Sequence, residues 1–367
     1  MEYAISFLIL SILVMWLAFA VPITTRTGGF YRVPIKQKLP FWEVFGIVVF
    51  GAVLGMSIIG FGMHSEGMDQ EVWNGQVTGK AKERTSCEHS YSCNCRPSTS
   101  CSGSGTSRSC STTTVCDTCY EHSHDYNWTV HSTIDNFYIS RIDRQGNHEP
   151  PRWTQVAIKD PVSKVRSFNN YIKGAHSNVL NRAGTKITFP MPAYPLDVYD
   201  YYKISRTINV DTKLFNPDVW DYAISSALRE LGPSKQLNMV FVFTKNPEEY
   251  ADQLNAAWLG GKKNDVITVI GTQDGKTPDW VRVLSWSRSE RFKVDIREAV
   301  MEMALEPGPV VRTVGNILEK QFNRREMAEF EYLQYDAVVP FWYALAAYLA
   351  FLFPLIGYFL VKKGILS

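Results

Sequence analysis

The chain has 367 residues, 45% of them hydrophobic, with 38 Lys plus Arg against 36 Asp plus Glu. This near balance, with no clustered basic run, excludes a nucleic-acid footprint, so nucleic acid is not an expected partner. All seven cysteines fall within residues 87–119, which sets that stretch apart from the rest.

Three stretches without a charged residue, 4–23, 44–63 and 337–361, come first in the reading. Each reaches the roughly 20 residues that cross a hydrocarbon core of about 30 Å as a helix. The connector between the first two carries Arg26, Arg32, Lys36 and Lys38 with no acid before Glu43, and the tail carries Lys362 and Lys363. Three spans put connector and tail on one side, and the positive-inside bias makes that side the cytoplasm. The amino terminus and residues 64–336 are then expected outside. Phe41, Trp42, Phe341, Trp342 and Tyr358 suit the interfaces at the span ends. A competing reading takes Ala18-Phe19-Ala20 as a signal-peptidase site, which would reverse the argument. The absence of Lys or Arg before the first apolar run favours an uncleaved span.

The expected fold class is an α+β membrane protein with three transmembrane helices, a Cys-rich β lobe and an α/β lobe. Its parts are span 1 (1–23), a basic connector (24–43), span 2 (44–63), the Cys-rich lobe (64–195), the α/β lobe (196–308), a juxtamembrane helix (309–336), span 3 (337–361) and a tail (362–367). Six bases and two acids lie outside the exterior part, so that part stays within two charges of neutral.

Glu71 to Thr78 and Trp153 to Ile158 read as short strands around the cysteines, and alternation through Trp128, Val130, Ser132 and Ile134 predicts a hairpin returning at 137–139. Between the cysteines lie mainly Ser, Thr and Gly, too little apolar content to offset the entropy of ordering. A crosslink must hold this segment. Cys93 and Cys95 with Cys116 and Cys119 have the look of two ligand pairs of a structural zinc site. An oxidising exterior favours disulfides instead. Cys101 and Cys110 enclose a Ser/Gly loop and suit a disulfide, Cys87 is left over, and His89, His122 and His124 lie near enough in sequence to replace or supplement a thiolate. Residues 189–195, with three prolines, read as a linker between lobes.

The second lobe has α/β order. Residues 218–231 have helical spacing and end at Gly232-Pro233, and 239–243 form an apolar run of strand length expected to be covered on both faces. Asn246-Pro247-Glu248-Glu249 predicts a helix start. That helix runs to Trp258 and stops at Gly260-Gly261. Strands over 266–270 and 281–286 and a helix over 294–305 follow. Residues 310–335 have helical spacing, either as a stalk running into span 3 or as an amphipathic helix on the sheet.

Through residues 240–244, 249–254, Trp258, 260–265 and 266–271, this lobe resembles the TPM domain family. The family has Asp-Asn-Gly where this chain has Asn264-Asp265-Val266. The resemblance implies a membrane-anchored extracytoplasmic module, either an accessory factor for membrane complexes or a metal-dependent phosphatase. Residues 71–75, 93–96, 101–105 and 116–120 are similar to strings in uncharacterised membrane proteins of large tailed bacteriophages. That implies expression in an infected bacterium and insertion in its inner membrane, with the large domain extracytoplasmic.

Asp252, Asp265, Asp274 and Asp279 are candidates to meet at one end of the sheet and bind a hard cation. No GxSxG, HExxH or Walker sequence occurs. The expected function is therefore an interaction or accessory module docking on another membrane or envelope protein, with membrane lipid as its other partner. A TPM-like metal-dependent hydrolase is the alternative. No residue is singled out as catalytic.

Overall fold

A computed structural model describes residues 9, 23–25, 35–37, 41–102, 109–175, 185–199, 204–212, 216–336 and 339–362. Span 1 and most of the basic connector lie outside the described residues; within them, β1 (Ile23–Thr25) and β2 (Ile35–Gln37) pair antiparallel.

Among the described residues two helices are long and apolar enough to cross a membrane, in place of the three spans expected. They are α1 (Phe41–Gly67), and a last helix, α8 (Phe341–Lys362). They pack on each other through Val44, Val48 and Ile59 against Ala347, Phe351 and Leu355. Gly51 is a packing position: a Cβ there would lie 3.2 Å from the Phe351 carbonyl oxygen, so the glycine lets the helices approach within this chain. Only 28% and 17% of the apolar windows of the two helices are buried, and Phe50, Phe61 and Phe353 face outward. A soluble core helix would be mostly covered.

Helix α1 ends at Gly67 and β3 (Met68–Thr85) begins at the next residue. This strand organises the first lobe. Its first half pairs antiparallel with β8 (Pro161–Asn169) and its second half with β6 (Asp125–Ser132), with a register shift between Val77 and Gly79. Strand β7 (Phe137–Ile139) completes the order β7-β6-β3-β8 and confirms the predicted return hairpin. Trp128, Val130, Ile139, Trp153 and Val162 form its core. Residues 153–155, the start of the strand expected over 153–158, belong instead to the short helix α2 (Pro151–Gln155), because Pro150 and Pro151 cannot supply the donors of a ladder but fit a first helical turn. Between β3 and β6 the chain leaves the sheet as a second hairpin, β4 (Ser90–Ser102) with β5 (Ser109–Tyr120).

The second lobe is a four-stranded sheet in the order β12-β11-β10-β9. Strand β10 (Asn238–Thr244) runs parallel to β9 (Thr207–Asn209) and β11 (Asp265–Gly271), and β12 (Trp280–Leu284) is antiparallel to β11. Every residue of β10 and β11 is buried, as expected of strands covered on both faces. Met239, Phe241 and Phe243 point to one face, where α4 (Pro217–Lys235), α6 (Arg291–Met301) and α7 (Pro307–Gln321) pack. Val240 and Val242 point to the other, under α5 (Glu249–Ala257). A four-residue helix, α3 (Tyr171–Gly174), follows β8.

The proline-rich stretch is not a free linker. Phe189, Met191 and Tyr194 pack on the α5 face, Gln253 Oε1 accepts the backbone N–H groups of Thr188 and Phe189, and Trp258 Nε1 donates to Pro192 O at 2.9 Å. Extended backbone without ladder donors suits a strap held by side chains. Residues 310–335 do not make a stalk. Val310, Val311, Val314 and Leu318 bury α7 on the sheet, the helix ends at Phe322, and a separate 3-10 helix (Met327–Asp336) packs through Met327, Phe330 and Leu333 against Ile172 and Ala175.

Candidate functional site

The Cys-rich hairpin carries the first set of sequence-predicted site residues. Cys93 is bonded to Cys119, Cys95 to Cys116 and Cys101 to Cys110, so Cys93, Cys95, Cys116 and Cys119 are placed as disulfides, not as a zinc set. The reason lies in the register of the hairpin. Antiparallel pairing sets Cys93 opposite Asp117, two residues from Cys119, and the bulge between Cys93 and Arg96 leaves Cys95 beside Cys116, so each sulfur has one neighbour on the facing strand. The four sulfurs then form two rungs, with Asn94 bulged at φ 47° between them. The Cys101–Cys110 disulfide stands as expected, and the residues of the turn, 103–108, lie outside the described residues.

At roughly 3.3 Å per residue the hairpin is roughly 40 Å long. Among its described side chains none is buried. Tyr91, Val115 and Tyr120 are exposed large side chains along it. Its described part is held by the ladder, the disulfides and a few side-chain hydrogen bonds such as Thr99 Oγ1 to Thr112 Oγ1 at 3.0 Å.

Where the hairpin meets the first lobe, the leftover Cys87 is buried with its thiol unbonded to any other cysteine. Cys87 Sγ lies 3.8 Å from His122 Nδ1, and the same nitrogen lies 3.4 Å from Asp125 Oδ1. The three donor atoms fall within 4.8 Å of one another, the one such group of potential metal ligands among the described residues. Asp125 Oδ2 accepts Glu88 N–H at 3.0 Å and Arg141 Nη1 at 3.1 Å, while the buried Oδ1 has no hydrogen-bond partner. The Glu88 N–H holds the Asp125 carboxyl below the usual range, outweighing burial.

The four aspartates do not converge. Asp265 opens β11 and Asp274 lies beyond its far end. Asp274 Oδ1 accepts the N–H groups of Lys276 and Thr277 in a turn, which holds its carboxyl down to about 2. Asp252 pairs with Arg282 at 3.3 Å, and Asp279 N–H closes on Gly271 O. At the carboxyl ends of the strands, where open α/β sheets commonly place ligands, Asp211 is occupied by Thr244 Oγ1, Lys245 N and Asn246 Nδ2.

Asp265 instead belongs to a buried polar junction between the lobes, which sequence reasoning did not find. Arg206, 1% exposed, donates through Nη2 to Asn74 Oδ1 and Ser163 Oγ of the first lobe. Its Nε and Nη1 reach Asn238 Oδ1 and Ser225 Oγ in the second. Asn238 Nδ2 donates to Asp265 Oδ1 at 2.9 Å, and Tyr194 OH and Lys262 N–H donate to Asp265 Oδ2 at 2.7 and 2.6 Å. Lys262 pairs with Asp69, Lys263 and Arg324 with Glu71, and Asn264 Nδ2 donates to Val72 O. The Gly-Gly-Lys-Lys-Asn-Asp turn at 260–265 is the element that fastens the second lobe to β3.

Burial pushes the Asp265 carboxyl up to about 6 against the hydrogen bonds that favour its charged form. A carboxyl raised on folding stabilises the fold fully below its ordinary pKa, and that contribution is lost as pH rises through the folded value. The expected loss for Asp265 is about 3 kcal/mol between about pH 4 and pH 7. Denaturant unfolding of wild type and Asp265→Asn across that range checks it: the variant's stability relative to wild type should rise with pH, and a pH-independent difference would refute it.

Comparison with protein-family models, curated proteins and solved structures found no match to this chain.

Proposed function

We propose that this chain is a membrane-anchored interaction module, whose exterior lobes hold the disulfide-laddered hairpin out to dock on another protein of the bacterial envelope. The observation that carries this reading is the hairpin itself. None of its described side chains is buried, so three disulfides hold in shape an element whose described part contributes nothing to the core. Rigidity in a surface element lowers the entropy lost on binding, which favours affinity for a partner. Tyr91, Val115 and Tyr120 are its natural contact points, since aromatic side chains carry much of the energy in protein interfaces.

The anchoring part of the reading is supported by the outward apolar faces of α1 and α8, which lipid would cover, and by the disulfides, which persist in an oxidising exterior compartment. The direct passage from α1 into β3 would hold the lobes close to the inner-membrane surface. A hydrolase reading draws no comparable support, because Asp265 is enclosed in the junction and Asp274 caps a turn. Replacing residues 90–120 by a short turn tests the proposal. The deleted protein should keep its membrane insertion and unfolding midpoint and lose its co-purifying envelope partner; retention of that partner would reject the hairpin as the contact arm.

A further inference from the structure

The cluster at the base of the hairpin has a geometry the docking role does not require. The geometry points to a zinc site made by Cys87 Sγ, His122 Nδ1 and Asp125 Oδ1, clamping the two ends of the hairpin insert to the β3–β6 sheet.

Three observations carry this. The first is distance. Bonds of about 2.3 Å to sulfur and 2.0–2.1 Å to nitrogen and oxygen place tetrahedral ligands roughly 3.3–3.7 Å apart. The observed 3.8 Å from sulfur to nitrogen and 3.4 Å from nitrogen to oxygen lie close to two edges of that tetrahedron, and all three donors fall within 4.8 Å of one another, so closing on an ion takes a small side-chain movement. The second is the orphaned oxygen. Asp125 is fully buried, its Oδ1 has no hydrogen bond of ordinary geometry, and the groups facing it are the His122 ring at 3.4 Å and the Cys87 thiol, so an ion held among the three would give that oxygen a full partner. Its other oxygen is held by Glu88 N–H and Arg141, and such outer contacts orient a ligating carboxylate. The third is which ring nitrogen is used. In a nucleophilic relay a histidine presents one nitrogen to the thiol and the other to the acid. Here both neighbours face Nδ1, so the donors converge on one point, as ligands do.

The mixed sulfur, nitrogen and oxygen set suits a borderline divalent ion such as zinc better than calcium or magnesium, which take oxygen. Binding exchanges the Cys87 S–H proton for the metal, and that proton goes to solvent; no electron is transferred. His122 is 27% exposed while Cys87 and Asp125 are buried, so solvent reaches the cluster past the histidine, and water is the fourth ligand. Cys87 precedes β4, and His122 and Asp125 follow β5, so one ion would tie entry and exit of the hairpin together.

The test uses the full chain in detergent, stripped with a chelator and with its disulfides intact. Cobalt(II) should bind with one equivalent and give the intense visible bands of a four-coordinate ion and a thiolate charge-transfer band, both removed by zinc(II). His122→Ala should weaken zinc binding by more than the roughly tenfold that follows loss of an outer-shell partner. Cys87→Ser should abolish the charge-transfer band, and zinc should slow maleimide modification of Cys87 in wild type. Absence of that band in wild type, or equal zinc affinity in wild type and His122→Ala, would overturn the site. Should His122→Ala not fold, the Cys87→Ser spectrum decides.

Discussion

Arg206→Met is expected to destabilise the protein by about 3–5 kcal/mol, the range seen when one partner of a buried charged network is removed. The guanidinium serves Asn74, Ser163, Ser225 and Asn238 at once, and it faces the carboxylates of Asp221 and Asp265. Methionine fills much of the volume and supplies no donor, so several acceptors lose their partner in a space closed to water. Burial lowers the Arg206 pKa only to about 10, which leaves it charged at neutral pH and leaves its removal uncompensated. Denaturant unfolding in detergent micelles measures the loss. Arg288→Met, which breaks an exposed pair with Glu329, is the control and should leave the midpoint where it is. Equal effects of the two substitutions would mean that the junction does not hold the lobes together.

Gly232→Ala should destabilise by about 3 kcal/mol, the upper end of overpacking effects. Gly232 lies on α4 against β3, and a Cβ there would come within 2.3 Å of Asn74 O and 2.6 Å of its carbonyl carbon. That backbone is fixed by the β3–β8 ladder, in which Asn74 faces Ser163, so the helix must move. Moving it disturbs Ser225 and Asn74 together and reaches the Arg206 network, so Gly232→Ala and Arg206→Met should be non-additive. Gly315→Ala on the facing helix α7 provides the contrast. Its Cβ would meet Leu231 Cδ1 at 3.5 Å, ordinary contact, and the gain in helix propensity should make it neutral or mildly stabilising. A Gly232→Ala protein as stable as wild type would show that the helix and strand are not in that contact.

The same glycine shows where sequence reasoning stops. Gly232-Pro233 reads as a helix end, yet α4 continues to Lys235 and the glycine serves a close approach to a strand 158 positions earlier. Periodicity located α4, β10, β11 and β12 nearly to their ends, because a buried strand or helix face writes its own pattern. Strand β8 was missed, since Lys164, Arg166 and Ser167 mask its apolar residues and its place is set by β3. The Cys-rich hairpin was legible as a crosslinked unit but not as a ladder, because Ser and Thr carry no burial pattern. Cys87, His122 and Asp125 were half legible: the unpaired cysteine and the nearby histidine stood out, whereas Asp125 became a candidate only when folding brought residues 38 apart in sequence together and left one of its oxygens without a partner.

The network around Arg206 gives the proposed docking role its mechanical basis. A hairpin can present a contact surface at a fixed place above the membrane only if β3 is fixed, and β3 is held by α1 at one end and by the second lobe along its length. A photoactivatable residue in place of Val115, with one in place of exposed Tyr222 on α4 as control, tests the docking role of the hairpin in the native membrane. One discrete envelope protein should be crosslinked from position 115 and not from position 222, with the crosslink lost when the hairpin disulfides are reduced. Crosslinking from position 222 alone, or from position 115 undiminished after reduction, would contradict it.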